Sequence, residues 1–542
     1  VARSVDPNAY EHAARAMLYA EQDLNVEAAA ELRRAIFFDN ESPELHAALA
    51  DIYLRLGRIK EAEAEVHASQ KLGPTANMYL AKAHLEAHQG RFSQALDSLR
   101  LAKNEADFLE RADLAIEVYQ SLAEAEIGAL DFLAARATLT ELCREVPEAG
   151  TAYMRLFALD WAVGDVVAAR TTLRRALGQE PNQIEALLAM AWVEASEGNE
   201  NQATRVFQET LERSEGSLDV AVAFARFLGS VGKPGDAAQL AEDFSVGTLD
   251  ADTLPLRIEL ERSARRLNQA IDLIAQGRAL PIPEEGKNRL ALTEAALRKE
   301  QNQIDEALAA LYTVNPKSSL FLESRLRAAE LLRDHGRVTE AKKQLEALTG
   351  LNPKESLEVT IALALCEEKS GRLSQAINQL ETLLRRFPDD SRLTLILAAM
   401  EERRGRWQEA LALAESLLRK KSTDAEVLNF WGFIASEHGY ELPLAQKRIT
   451  AAVALEPGSG GLLDSLGWVN FRLGTFELAK LFLEQAARLE PTDAEIQYHL
   501  GELYLSQAEK TRALAAFRRA LTLGPEEKVR RAVEDRLSQL GN

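Results

Sequence analysis

His84 and His88 stand one helical turn apart with Glu86 between them, so two imidazoles would project from one helix face. A zinc site needs a third protein ligand, and the His-Glu-x-x-His order that would add a general base is missing. The pair reads as a polar helix surface. Gly458-Ser459-Gly460-Gly461 lacks the spacing of a nucleophile elbow and follows Pro457, so it reads as a turn. Neither a Gly-rich phosphate loop ending in Gly-Lys-Ser/Thr nor a dinucleotide fingerprint is present. The expectation is a chain that is no enzyme, with no catalytic residues, no cofactor and no metal.

Other residues suit recognition. Asn429 can satisfy both the N–H and the C=O of an extended peptide. Phe433, Trp468 and Tyr498 offer large anchoring area at low entropy cost, and Asp464 and Glu502 would select a basic partner. Trp161 and Trp192 form a second aromatic pair nearer the N-terminus. These residues are tens of positions apart. A regular scaffold is needed to place them on one wall.

That scaffold is written as a period of about 34 residues. Three marks recur: a Gly between two helices, an Ala five residues later, and a closing Pro. The Gly series is Gly57, Gly90, Gly164, Gly198, Gly232, Gly336, Gly371, Gly405 and Gly474. The Ala series runs through Ala28, Ala62, Ala95, Ala135, Ala169, Ala203, Ala237 and Ala270, then Ala307, Ala341, Ala376, Ala410, Ala445, Ala479 and Ala513. Small residues fall where two helix backbones approach, and Gly accepts the left-handed conformation that ends a helix tightly. Prolines such as Pro388, Pro457, Pro491 and Pro525 stop one helix and start the next.

The last copy, with Leu500, Gly501, Tyr504, Ala513, Phe517, Ala520 and Pro525, resembles the tetratricopeptide (TPR) helix–turn–helix repeat. The implied fold is all-α: a TPR α-solenoid, a right-handed superhelix of about 15 repeats. No single repeat buries its apolar face alone, so neighbours stack and the ends need caps. Val529, Val533, Leu537 and Leu540 predict an amphipathic capping helix over 526–542. The register lengthens between Ala95 and Ala135 and between Ala270 and Ala307, and it fades from Gly247 to Gly286, where Pro255 falls inside an expected first helix. The expected organisation is an N-terminal array over 1–246, an irregular and possible bend segment over 247–286, a C-terminal array over 287–525, and the cap. The first helix of each repeat is expected to line the concave side, carrying the recognition residues named above.

A net charge of −20 opposes nucleic-acid binding, which depends on Lys and Arg displacing counterions from phosphates. No apolar stretch is long enough to cross a bilayer. Cys143 and Cys366 occupy helix-packing positions with more than six repeats between them, beyond disulfide reach. The chain begins at Val1 with no signal core ahead of the first repeat, so it is expected to be a processed or trimmed form, any signal peptide or lipid-bearing Cys lying upstream.

One run is more specific than the generic repeat. Leu428-Asn429-Phe430-Trp431-Gly432, the stretch Leu462-Leu463-Asp464-Ser465-Leu466-Gly467-Trp468-Val469-Asn470-Phe471-Arg472-Leu473-Gly474, and Glu495-Ile496-Gln497-Tyr498-His499-Leu500-Gly501-Glu502 resemble TPR lipoproteins of proteobacterial outer membranes that bind a carboxyl-terminal processing protease. The resemblance implies a non-catalytic adaptor at the periplasmic face of the outer membrane. Its implied partners are proteins: the protease and its cell-wall hydrolase clients. Related runs also occur in envelope proteins of secretion, polysaccharide export and surface motility, which leaves a structural subunit of such a machine as the alternative.

Overall fold

The computed structural model describes residues 6–105, 111–245 and 249–541. Among these the chain forms 31 α-helices and no strand: fifteen helix pairs and one further helix at the C-terminal end. The expected all-α repeat architecture is present throughout.

The Ala mark has one structural meaning. In all fifteen pairs it is the fourth residue of the second helix, from Ala28 in Asn25–Phe38 to Ala513 in Lys510–Thr522. Every one is at most 3 % exposed. A larger side chain there would hold the two helices apart. The bulkier core residues, such as Leu173, Phe207, Leu380 and Phe517, fill the space beyond it and are fully buried.

The turn mark is kept even where the residue is not Gly. Five residues before the repeat Ala, Asp23, Leu130, Arg265, Asn302 and Ala508 take φ between 57° and 61°, beside the nine glycines at 70° to 89°. The backbone therefore demands the left-handed turn whatever the side chain. The pair formed by Ala425–Glu437 and Leu442–Leu455 departs from this rule, placing Gly439 and Glu441 in the left-handed region on either side of Tyr440.

Several first helices start on side-chain caps. Ser42, Thr75, Asp390, Asp424, Ser459 and Asp493 each accept a hydrogen bond from the backbone N–H three residues on, satisfying an otherwise orphaned donor. Asn352 and Glu355 complete a full capping box. Within three successive pairs a buried acid of the first helix accepts from a hydroxyl of the second: Ser98 to Glu86 at 2.7 Å, Thr138 to Glu126 at 2.7 Å, and Thr172 to Asp160 at 3.0 Å. Ion pairs then link neighbouring pairs at close to the repeat period, as in Arg392 with Glu358 at 2.6 Å and Arg448 with Glu415 at 2.7 Å.

The irregular register still yields a helix pair. Pro255 lies in the first turn of Leu254–Ser263, where its missing N–H costs nothing, and Leu267–Gly277 completes the pair. Gly247, the expected start of that segment, lies outside the described residues. The two longer intervals each contain a first helix of 17 residues, Ala112–Gly128 and Glu284–Glu300. The expected cap is the helix Glu527–Gly541, with Val533 fully buried against the last pair.

The chain divides into two compact units, each assembled from two stretches. One comprises Val1–Ala186 with Glu415–Ala479; the other comprises Leu187–Ala414 with Lys480–Asn542. In the first unit the helix Leu442–Leu455 packs against Gly150–Ala162 and touches Ala112–Gly128. Its burial is correspondingly broad, covering Ile449, Thr450, Ala451, Ala452, Val453 and Ala454 as well as the expected Ala445.

Candidate functional site

In the first unit, the Asp424 cap starts the helix Ala425–Glu437, which carries Asn429 and Phe433 one turn apart. Both are half-buried, and the Asn429 amide oxygen is shielded without a hydrogen-bond partner. The next first helix, Gly460–Leu473, holds Asp464 and Trp468, and both are buried. Trp468 is only 6 % exposed. Its indole N–H donates to Glu437 Oε1 at 2.8 Å, and its ring stacks on Phe471 with centroids 5.0 Å apart. Arg472 donates to the Glu437 carbonyl at 3.0 Å. Trp468 is thus held by packing and a hydrogen bond, which corrects the expectation of an anchor open to a ligand.

The whole run Leu462 to Asn470 is buried. Asn470 donates to the Leu466 carbonyl at 2.7 Å and accepts from Gln446 and Thr475 at 2.8 Å each. The most specific stretch of the sequence is therefore a satisfied packing element.

In the second unit, Tyr498 is half-buried, its ring 6.3 Å from Phe517 and 5.5 Å from His499. Glu502 is buried and receives both Nε and Nη2 of Arg536 at 2.6 and 2.8 Å. The capping helix thus takes up the carboxylate that was expected to select a basic partner, because a buried acid needs a paired charge. Trp192 meets Phe207 and Phe227 edge-on at 5.5 and 6.1 Å, and Phe207 stacks on Phe224 and Phe227. Trp161, in the first unit, is buried near Phe157 with ring centroids 6.4 Å apart. Asn429, Phe433, Tyr498 and Trp192 keep partial exposure; Asp464, Trp468, Glu502 and Trp161 do not.

Sequence reading missed a polar ladder on three successive first helices. His84 sits 3.0 Å from Asp51, and Glu117 continues the series at the same interval of 33 residues. Burial opposes the charged form of His84, yet the Asp51 carboxylate and the nearby Glu117 raise its pKa on balance. Burial raises Glu117 as well. The common interval is the signal that would have revealed them.

The catalytic and metal candidates resolve structurally. His84 is engaged by Asp51, His88 is exposed, and no group of three or more His, Cys, Asp or Glu side chains is placed to hold a metal among the described residues. Ser459 caps a helix by accepting from the Leu462 N–H at 3.3 Å. Cys143 is buried and its thiol is pushed up to about 11 by desolvation, the wrong direction for a nucleophile. Burial raises Cys366 likewise.

The profile of the tetratricopeptide repeat matches residues 47–108, 326–377, 361–425 and 465–528. A TPR repeat-containing protein of Pseudomonas aeruginosa is 26 % identical over 206 residues. That alignment covers 38 % of this chain and 35 % of the relative's length. Among solved structures, a TPR protein from Parabacteroides merdae is 16 % identical with a TM-score of 0.36, covering 47 % of this chain and 99 % of that one. Pseudomonas aeruginosa pilF is 17 % identical with a TM-score of 0.32, covering 42 % and 99 %. The Cut9–Hcn1 hetero-tetramer of the APC/C gives 15 % identity and a TM-score of 0.32, covering 99 % and 97 %. The fold is an all-α TPR solenoid, a repeat architecture that serves protein–protein interaction and is typically a non-catalytic scaffold.

Proposed function

We propose that this chain is a non-catalytic adaptor of the bacterial cell envelope, bringing a periplasmic protease or cell-wall enzyme to protein clients. The observation that carries the scaffold part is the series of fifteen helix pairs among the described residues, each with the same buried Ala as the fourth residue of its second helix. Such an array presents many side chains at the repeat spacing, which suits binding extended or multiple protein surfaces. The envelope part is supported by the resemblance of the 428–432, 462–474 and 495–502 runs to outer-membrane TPR lipoproteins. Half-buried Asn429 and Phe433 in one unit, and Tyr498 and Trp192 in the other, are the recognition residues this reading retains.

The test is affinity purification of the native protein from its own cell envelope, followed by mass spectrometry of the bound proteins. Recovery of a carboxyl-terminal processing protease with cell-wall hydrolases supports the adaptor. Recovery of export, pilus or motility subunits without a protease replaces it with a structural role in such a machine.

A further inference from the structure

We propose that the outer surface of two adjacent second helices, Phe132–Glu145 and Val166–Gln179, is a docking groove for an acidic amphipathic helix of a protein partner. The two helices belong to consecutive pairs in the first unit, and neither carries a residue of the groove assigned above. The inference does not rest on the adaptor reading.

Two large apolar side chains stand in solvent at equivalent positions 34 residues apart. Leu133 is 82 % exposed and Val167 is 71 % exposed. Behind Leu133 the exposed stripe continues through Ala137, Thr140 and Arg144, at the i, i+4, i+7, i+11 spacing of one helix face. A cavity of about 560 Å³ runs along it, lined by Leu133, Ala137, Thr140, Glu141, Arg144 and Arg175 among others. Val167, Thr171 and Arg174 repeat the stripe on the neighbouring helix and are exposed. The trough lies along the Leu133, Ala137 and Thr140 stripe with Arg175 of the neighbouring helix at its edge, and the second stripe adds Val167 at repeat spacing beside it, which gives a third helix a place to seat its ridge.

Charge selects the occupant. The chain carries −20 overall, yet Val166–Gln179 contains Arg170, Arg174 and Arg175 and no acid. Arg136 is occupied by Asp160 at 2.8 Å and Asp165 at 3.3 Å, while the exposed Arg144 pairs with its chain neighbour Glu145 at 2.6 Å. The Arg175 guanidinium is set 5.6 Å from the Tyr153 ring centroid, which fixes a cation at the groove's edge. The groove is therefore apolar at the Leu133 and Ala137 end and cationic at the Arg144 and Arg175 end, its one acid, Glu141, being paired with Lys103, while Val167 and Arg174 repeat the same gradient on the neighbouring helix beside it. A partner helix with leucines on one half of its face and glutamates on the other complements both ends. A nucleic-acid duplex matches the arginines but not the exposed Leu133 and Val167, and the net charge repels it at long range.

The test is fluorescence anisotropy with a labelled helical peptide carrying Leu at i and i+4 and Glu at i+7, i+8 and i+11. The control peptide has Lys in place of each Glu. Expected results are saturable binding of the acidic peptide only, weakened by added salt, and a loss of about tenfold or more in Leu133→Glu and in the double variant Arg174→Glu/Arg175→Glu. The altered side chains are exposed, and circular dichroism verifies that the variants keep wild-type helicity. Equal binding of both peptides, no binding of the acidic one, or unchanged affinity in folded variants overturns the proposal. Tighter binding to duplex DNA or to phosphatidylglycerol vesicles than to the acidic peptide also overturns it, as does a wild-type dimer that Leu133→Glu converts to monomer.

Discussion

The Trp468 indole N–H donates to Glu437 Oε1 across 2.8 Å, tying one first helix to the first helix of the preceding pair. Arg472 on the same helix reaches the backbone carbonyl of that same glutamate. Glu437 is thus held from two sides, and Trp468 serves as the hydrogen-bonded bolt of a stack.

Trp468→Ala is therefore expected to destabilise the array, by about 3 kcal/mol or more, as truncation of a buried aromatic does. Chemical denaturation measures it, and Trp468→Phe should recover part of the loss by restoring the stack on Phe471. A Trp468→Ala protein of unchanged stability would mean that the ring does not pack in solution as described.

Left-handed turns at non-glycine residues carry strain. Leu130 and Ala508 both sit at φ 61°, where a Cβ costs about 1–2 kcal/mol. Leu130→Gly and Ala508→Gly should each stabilise by about 0.5–1 kcal/mol, less than the full strain because Gly adds freedom to the unfolded chain. The readout is a higher denaturant midpoint at constant slope.

His46 lies 2.6 Å from Glu65, and the hydrogen bond to that carboxylate raises the His46 pKa above its ordinary value. A histidine raised on folding adds stability that is fully present below its unfolded pKa of about 6.5 and is lost as pH rises through the folded value. Amide exchange in Pro43–Arg55 and Ile59–Leu72 should accordingly be slower at mildly acidic pH than in alkali, after correction for intrinsic rates. His46→Asn should abolish that part of the pH dependence.

Gly128 marks a contact between distant stretches of the first unit. A Cβ there would come 2.7 Å from Thr423 Cγ2 and 2.8 Å from Ser422 Oγ. Gly128→Leu should loosen the seat of the 415–479 stretch while leaving the helix pairs formed. The expected signature is faster hydrogen exchange in Leu442–Leu455 with nearly unchanged circular dichroism. Unaltered exchange would remove this contact from the solution structure.

Much of the fold was legible in the residue order because its constraints are local. The repeat Ala, the left-handed turn and the N-cap each act within a few residues, so a one-dimensional period reports them. Leu130 and Ala508 escaped the Gly search because the turn constrains φ and only favours Gly, without requiring it. Burial of the candidate groove was a different matter. Asp464, Trp468 and Glu502 stand at positions that face outward in a lone repeat, and their partners decide what they do. Glu502 meets Arg536 one repeat later, and Trp468 meets Glu437 one repeat earlier. The packing of Leu442–Leu455 on Gly150–Ala162 joins helices nearly 300 residues apart in the chain. By itself the sequence determined the period, the all-α class and the small residue at every helix crossing, since backbone sterics set these within each pair. The tertiary structure alone decided which polar and aromatic side chains stay accessible, because burial is set by whatever element arrives from elsewhere in the chain to cover them.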